Sequence, residues 1–158
     1  MVDAHGKMWM KCAQGMVFNA NDNNCTGSPT SLQFCSTADN SCNGGNDESP
    51  LDSGPAFESC EALVFAGFSD WRVPTKEELA SLVVCNDGLL NHPERSDCGG
   101  VNITSPAIDT SLFTNFPSAS YWTQDSSSAS NAWYVSFGTG TLTNGLSKTS
   151  NFRVLCIR

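Results

Sequence analysis

Eight cysteines and two histidines are the residues of this chain best suited to chemistry. Cysteine can pair as a disulfide, ligate a metal or act as a nucleophile, and each use leaves its own spacing signature. No C-x2-C pair occurs, and the only histidines are His5, at the start, and His92, beside Pro93. Neither a zinc site nor a cysteine–histidine nucleophile is therefore spelled out, and the expected metal set is none. An even number of cysteines in a chain rich in Ser, Thr, Asn and Gly predicts disulfides and an oxidising compartment instead. Spacing suggests three local bridges, Cys12–Cys25, Cys35–Cys42 and Cys85–Cys98, which leaves Cys60 on a predicted helix for Cys156 on the last strand. On the order of a hundred pairings exist in principle, so spacing suggests this connectivity without fixing it.

The carboxylates are the next candidates. Asp47, Glu48 and Asp52 invite a calcium ion, but the EF-hand spacing with its closing Glu is missing, and a solvated acidic loop explains them better. The adjacent pairs Glu77-Glu78 and Asp47-Glu48 suit a first helical turn and a loop rather than acid–base catalysis. No Ser/His/Asp order stands out, so no catalytic residues and no cofactor are expected, and the chain reads as a binding module rather than an enzyme.

The elements that must position these residues follow from local pattern. Ser69 to Leu79, SDWRVPTKEEL, is the most structured stretch: Pro74 holds Val73 extended, and Thr75 with Glu78 forms a T-x-x-E capping box. Leu79, Leu82 and Val83 then recur at helical spacing, predicting a helix that ends near Asn86-Asp87-Gly88. A first helix is predicted from Pro55 to Phe65, with Phe57, Cys60, Leu63 and Val64 on its apolar stripe and Gly67 as its stop. Lys7 to Lys11 reads as a short strand with Met8 and Met10 opposite Trp9. Residues 12–54 are polar and irregular, to be stapled by four cysteines. Beyond Pro106 the pattern turns to strands: Ser120 to Thr123, Ala132 to Phe137, a Gly138-Thr139-Gly140 turn into Thr141 to Thr143, and a closing strand from Phe152 to Ile157. Trp122 and Trp133 are expected in the core. The fold class is α+β, a single domain over residues 1–158.

Charge and polarity narrow the partners. The net charge of −8 argues against nucleic acid and against capture of an anionic surface. No apolar run of ~18 residues is present, so no membrane span is expected. Residues 1–10 hold no apolar leader segment, and the natural chain is expected to continue upstream of Met1. Of the 16 acidic residues only Asp125 lies beyond Thr110. Between Ser118 and Asn151, 17 of 34 residues are Ser, Thr or Asn, interleaved with Tyr121, Trp122, Trp133 and Tyr134. Hydroxyls and amides around rigid rings suit polyhydroxylated ligands or protein surfaces. Tyr121, Asn131, Tyr134, Ser136, Asn144 and Lys148 are the expected ligand contacts, whereas Arg72 and Arg153 are expected to form structural pairs with acidic side chains.

Several stretches in this order resemble the C-terminal domain of Legionella collagen-like adhesins. They are KMWMKC, GFSDWRVPTKEELASLV, SPAIDTSLF, FPSASYWTQ, AWYVSF and the terminal FRVLCIR, together spanning Lys7 to Arg158. The resemblance implies a C-type-lectin-like fold, with two helices on a twisted antiparallel sheet and a helix-to-last-strand disulfide that supports Cys60–Cys156. It also implies a module at the bacterial cell surface or outside the cell, outer membrane-associated or secreted. Such a module serves adhesion and biofilm formation and binds glycans, glycosaminoglycan-type polysaccharides or a protein of the host cell or matrix, as a homotrimer. A receptor of the same fold diversified in its last third, recognising a protein, is the alternative. The EPN and QPD tripeptides of calcium-dependent lectins are absent, as are Lys/Arg clusters that would grip sulfates.

Overall fold

The computed structural model of the chain describes residues 1–3, 6–90 and 95–158, so His5 and His92 lie outside the described residues. Its anchor is the SDWRVPTKEEL stretch. Thr75 caps helix α2 (Lys76–Ala80) with its hydroxyl accepting the Glu78 N–H at 3.2 Å, while a Glu78 oxygen accepts the Thr75 N–H at 2.9 Å. The same carboxylate receives both Arg72 guanidinium nitrogens at 2.7 Å and lies 3.4 Å from the Lys7 ammonium. One acidic group thus fixes the helix start, the preceding strand-like segment and the N-terminal stretch together.

The predicted α+β composition holds: short strands dominate, with two small helices. Chain order runs β1 (Val17–Asn19), β2 (Asn24–Thr26), β3 (Leu32–Gln33), α1 (Pro55–Glu61), α2, β4 (Val84–Cys85), β5 (Gly88–Leu89), β6 (Ser120–Ser126), β7 (Asn131–Ser136), β8 (Thr141–Ser147) and β9 (Asn151–Phe152). The largest sheet is the antiparallel meander β6-β7-β8, all three strands of which pack against α2, and β3 pairs with β9. The Gly138-Thr139-Gly140 turn joins β7 to β8 as expected, and β8 runs four residues past the predicted Thr143.

Both helices are shorter than their apolar patterns suggest. Helix α1 stops at Glu61, and Val64 is 79% exposed. Gly67 serves a tight turn rather than the helix end: Ala66 and Gly67 both have positive φ, and Phe65 and Phe68 exchange backbone hydrogen bonds across them. Asn86 and Asp87 likewise form the turn of the β4–β5 hairpin instead of capping α2. The β-branched Val83 and Val84 favour extended backbone there, and the Val84 N–H bonds to the Ala107 carbonyl at 3.0 Å, so pairing with a distant segment overrides the helical spacing.

Four disulfides join Cys12–Cys25, Cys35–Cys42, Cys60–Cys156 and Cys85–Cys98, the connectivity that the spacing suggests. Cys60 and Cys156 bring α1 against the last segment of the chain, 96 residues away. That segment is only briefly a regular strand, but its backbone is laddered on both sides. Met10 N–H bonds to the Cys156 carbonyl, Met8 and Arg158 exchange hydrogen bonds, and Arg72 and Ile157 do the same. Its alternation divides the core. Val154 and Cys156 enter one apolar cluster with Phe34, Trp71, Val73 and Trp122, whereas Leu155 and Ile157 enter another with Trp9, Leu79, Val83, Phe113 and Phe137. Covered on both faces, it is the central strand of the molecule in all but length. Trp122 is fully buried as expected; Trp133 is only half-buried, with the Lys76 ammonium 4.8 Å above its ring.

Arg72 forms its predicted acidic pair with Glu78, but Arg153 does not. Its guanidinium donates to the Pro29 carbonyl at 3.0 Å and to the Ser31 hydroxyl, and among the described residues it meets no carboxylate. The cause is location: Arg153 lies beside β3 and β6, in the stretch beyond Thr110 that holds only one acid, Asp125.

Two stability outcomes follow. Burial raises the Glu78 carboxyl, but hydrogen bonds from Arg72 and the Thr75 N–H, with the Arg72 charge, carry it down from 4.5 to about 2. A depressed carboxyl stabilises fully above its unfolded value and loses that contribution as pH falls from about 4.5 through about 2, an effect on the order of 2–3 kcal/mol. Glu78→Gln should lower urea stability at pH 7 by about that amount and flatten the acid limb of the stability profile. Cys60→Ser with Cys156→Ser should cost about 4–5 kcal/mol by the loop-entropy relation, measured by denaturant melts, and more than the loss of any short-loop bridge.

Candidate functional site

The six expected contact residues do not converge. Tyr121 is fully buried, stacked at 4.8 Å on Phe116, and burial drives its phenol above the usual range despite the opposing Arg153 charge. Tyr121 faces the core because its strand carries apolar cover on both sides. Tyr134 is half-buried, its ring 4.8 Å from Phe152 and 6.2 Å from Trp122, so it offers only an edge. Ser136 lies two residues on, paired with Ser120 and Thr141 across the sheet. Asn131 is at the far end of β7 opposite Ser147, and Asn144 is exposed on β8.

Lys148 is the clearest correction: it is 0% exposed. Its ammonium donates to the Asp39 carbonyl at 3.0 Å and to the Asn40 and Asn43 side-chain oxygens at 2.9 Å each, over the Phe34 ring at 5.6 Å. Its backbone carbonyl accepts the Cys35 N–H. Burial lowers the Lys148 pKa, and the charges of Asp47 and Asp39 oppose that shift. A buried cation surrounded by oxygens is what a loop needs in order to order itself around positive charge. Lys148 therefore organises residues 35–54 rather than touching a ligand. Asp47 accepts from Asn40 at 2.7 Å in the same loop. Among the described residues no three His, Cys, Asp or Glu side chains come together to hold a metal ion.

Two open depressions of the surface lie elsewhere. One, of about 600 Å³, is walled by Asp22, Asn23 and Asn24 from the β1–β2 hairpin and by Pro106, Thr110, Thr114, Asn115 and Phe116. Pro106 and Thr110 also border a second, of about 560 Å³, with Asn86, Thr104, Ser105 and Asp109. Sharing Pro106 and Thr110, the two read as one groove of mixed lining, with Val84, Cys85, Ile108 and Phe116 among the polar groups and a step at Pro106, which follows a cis peptide bond. Its walls are pinned. Thr114 donates to the Asn23 carbonyl at 2.6 Å, and Asn115 donates to the Cys25 carbonyl at 3.3 Å, clamping the hairpin in place. Thr104 donates to the Asn86 side chain at 3.2 Å. Side-chain and backbone hydrogen bonds from Ser111 hold the Asp109 carboxyl below its usual range, keeping it an acceptor.

Amides, hydroxyls and two carboxylates in an open trough can exchange hydrogen bonds with hydroxyl groups, and the carboxylates repel sulfate or phosphate. None of these residues was among the sequence candidates. They come from three distant segments, 22–24, 84–86 and 104–116, and the one local signal is the amide-rich run Asn21 to Asn24. The dense Ser/Thr/Asn segment 118–151 spends many of its polar groups internally: Thr123 donates to the Trp133 carbonyl, Ser126 to the Ser128 carbonyl, and the Asn131 N–H to Ser128.

The sequence model of the Lcl C-terminal domain family matches residues 3–158. No curated protein matches the chain. No helix among the described residues is long and apolar enough to cross a membrane, and the four disulfides fit an extracellular or secreted protein.

The Lys148 cage is open to direct test. Lys148→Met removes three donors and strands the buried Asn43 oxygen, so it should cost about 3 kcal/mol. Amide hydrogen exchange should quicken mainly across residues 36–53, with the β6-β7-β8 sheet still protected.

Proposed function

The chain belongs to the Lcl C-terminal domain family, and on that premise we propose that it is the recognition domain of an extracellular adhesin that holds a neutral, polyhydroxylated polymer in the groove stepped at Pro106. The observation carrying the proposal is the groove's lining: amides and hydroxyls of Asn23, Asn24, Asn86, Thr104, Ser105 and Thr110, with the carboxylates of Asp22 and Asp109. Neutral sugar hydroxyls both donate and accept, which such a lining can satisfy; a densely sulfated chain would meet two local carboxylates and a net charge of −8. The fold is read as C-type-lectin-like on the strength of the α1-to-last-segment bridge and the helix-backed antiparallel sheet, with a homotrimer as the displaying form. Recognition is taken to be independent of calcium, the Lys148 ammonium ordering the long loop. No catalytic step is part of the proposal.

A glycan array probed with the oxidised protein, in calcium and again in chelator, tests it. Neutral polysaccharides should bind equally in both conditions. Asp22→Ala combined with Thr110→Ala should weaken that binding at least tenfold without moving the melting temperature, since neither side chain donates to or accepts from another described residue. Binding confined to sulfated chains, or abolished by chelator, would overturn it.

A further inference from the structure

Of the four arginines, Arg72, Arg95 and Arg158 each hold a carboxylate, on Glu78, Asp87 and Asp70. Arg153 is the exception among the described residues. Only its Nη1 is engaged, by the Pro29 carbonyl and the Ser31 hydroxyl; Nε and Nη2 donate to no other described residue. Arg153 borders an open cavity of about 160 Å³ formed with Ser31, Ala119, Ser120, Asn151 and Phe152, which shares no residue with the groove stepped at Pro106.

The scaffold beneath it is rigid. The Arg153 N–H bonds to the Ser120 carbonyl at 3.0 Å, its carbonyl accepts the Trp122 N–H at 3.0 Å, and β9 just before it pairs with β3. Phe152 packs 4.5 Å from Trp122, which fixes the ring at the cavity wall. A cation with spare donors in a fork, hydroxyls and an amide on either side, and one half-exposed aromatic ring is a complete set of contacts for a small anionic ligand with an apolar face.

We propose that this cavity is a second binding site, separate from the neutral-polymer groove, in which Arg153 takes the carboxylate of a single acidic sugar residue. The planar fork matches a carboxylate with two N–H donors, Phe152 faces the C–H side of the pyranose, and Ser31, Ser120 and Asn151 meet its hydroxyls. One guanidinium on a chain of net charge −8 suits one anionic group and not a dense polyanion.

The test is an NMR titration of the intact oxidised protein with glucuronate, its neutral methyl ester, glucose and N-acetylglycine. Glucuronate should shift the Arg153 Nε–H and the backbone amides of Ser120 and Asn151, with the ester, glucose and N-acetylglycine at least tenfold weaker. Arg153→Lys, which keeps the charge and loses the fork, should weaken glucuronate about tenfold. Because Arg153 also holds the Pro29 segment, Ser120→Ala serves as the second variant, expected to weaken binding several-fold with melting temperature unchanged. Equal binding of the ester would remove the carboxylate from the assignment, and equal binding of N-acetylglycine would point to a protein terminus instead of a sugar. Shifts confined to residues 22–24 and 104–116 would place the acid in the groove. Each of these overturns the proposal; the first two leave neutral-polymer binding in the groove untouched, and only the third bears on it.

Discussion

One carboxylate holds together the parts that everything else is built on. Glu78 accepts from Arg72 through both guanidinium nitrogens, from the Thr75 N–H, and lies within ion-pair distance of Lys7. A helix of five residues has almost no stability of its own, because nucleation alone outweighs so few propagating bonds. Helix α2 exists because its first turn is capped from within and its other side is buried through Leu79 and Ala80. Since Arg72 also exchanges backbone hydrogen bonds with Ile157, the Glu78 cluster transmits its order to the last segment of the chain. That segment in turn feeds both apolar clusters. Charge, cap and core are therefore coupled here in a way that a longer, self-sufficient helix would not require.

The second consequence is a division of labour between covalent and non-covalent order. The chain from Cys12 to Gly54 contributes few apolar side chains, and its compactness rests on two short bridges and on Lys148. A disulfide limits how far a loop can open but does not choose its conformation. The ammonium does choose one, since three oxygens at hydrogen-bonding distance define a geometry. Gly54 then lets the loop re-enter the core. Its φ is +90°, and a Cβ there would come within 2.9 Å of the Cys42 sulfur. Phe34, Cys35 and Cys42 can thus pack under α1 while the tip of the loop stays wet.

What could be read from sequence was what depends on neighbours in sequence. The Thr75–Glu78 box, the Gly138-Thr139-Gly140 turn, the β-rich second half and the bridges of 7 and 13 residues are all local statements. The helix ends depart from the local spacing for a corresponding reason. Leu82 and Val83 keep helical spacing, yet Val84 is claimed by Ala107, a partner that no local window contains. Within the expected contact set, Tyr121 and Lys148 turn out to be buried. Ser/Thr/Asn density identifies a polar segment, but not which polar groups are already satisfied. Lys148 looked like a surface cation because lysine usually is one, and its partners Asp39, Asn40 and Asn43 are more than a hundred residues away. The groove at Pro106 was invisible because no single segment of it is distinctive.

On the proposed reading, an acidic domain recognises ligands without a bound metal in its long loop, and the Lys148 cage gives that reading a physical basis. A calcium ion in a loop does two separable things: it neutralises and orders oxygen-rich backbone, and it can present open coordination positions to a ligand. Lys148 supplies the first function alone. Its three donors all go to the protein, so the cage has no valence left for a hydroxyl from outside. The two sites proposed above accordingly lie away from the long loop: the groove held by Thr114 and Asn115, and the cavity beside Arg153. In both, hydrogen bonds fix the backbone while some side-chain groups, those of Asp22 and Thr110 in the groove and Nε and Nη2 of Arg153 at the cavity, bond to no other described residue. A site held rigid in this way would bind with little loss of conformational entropy.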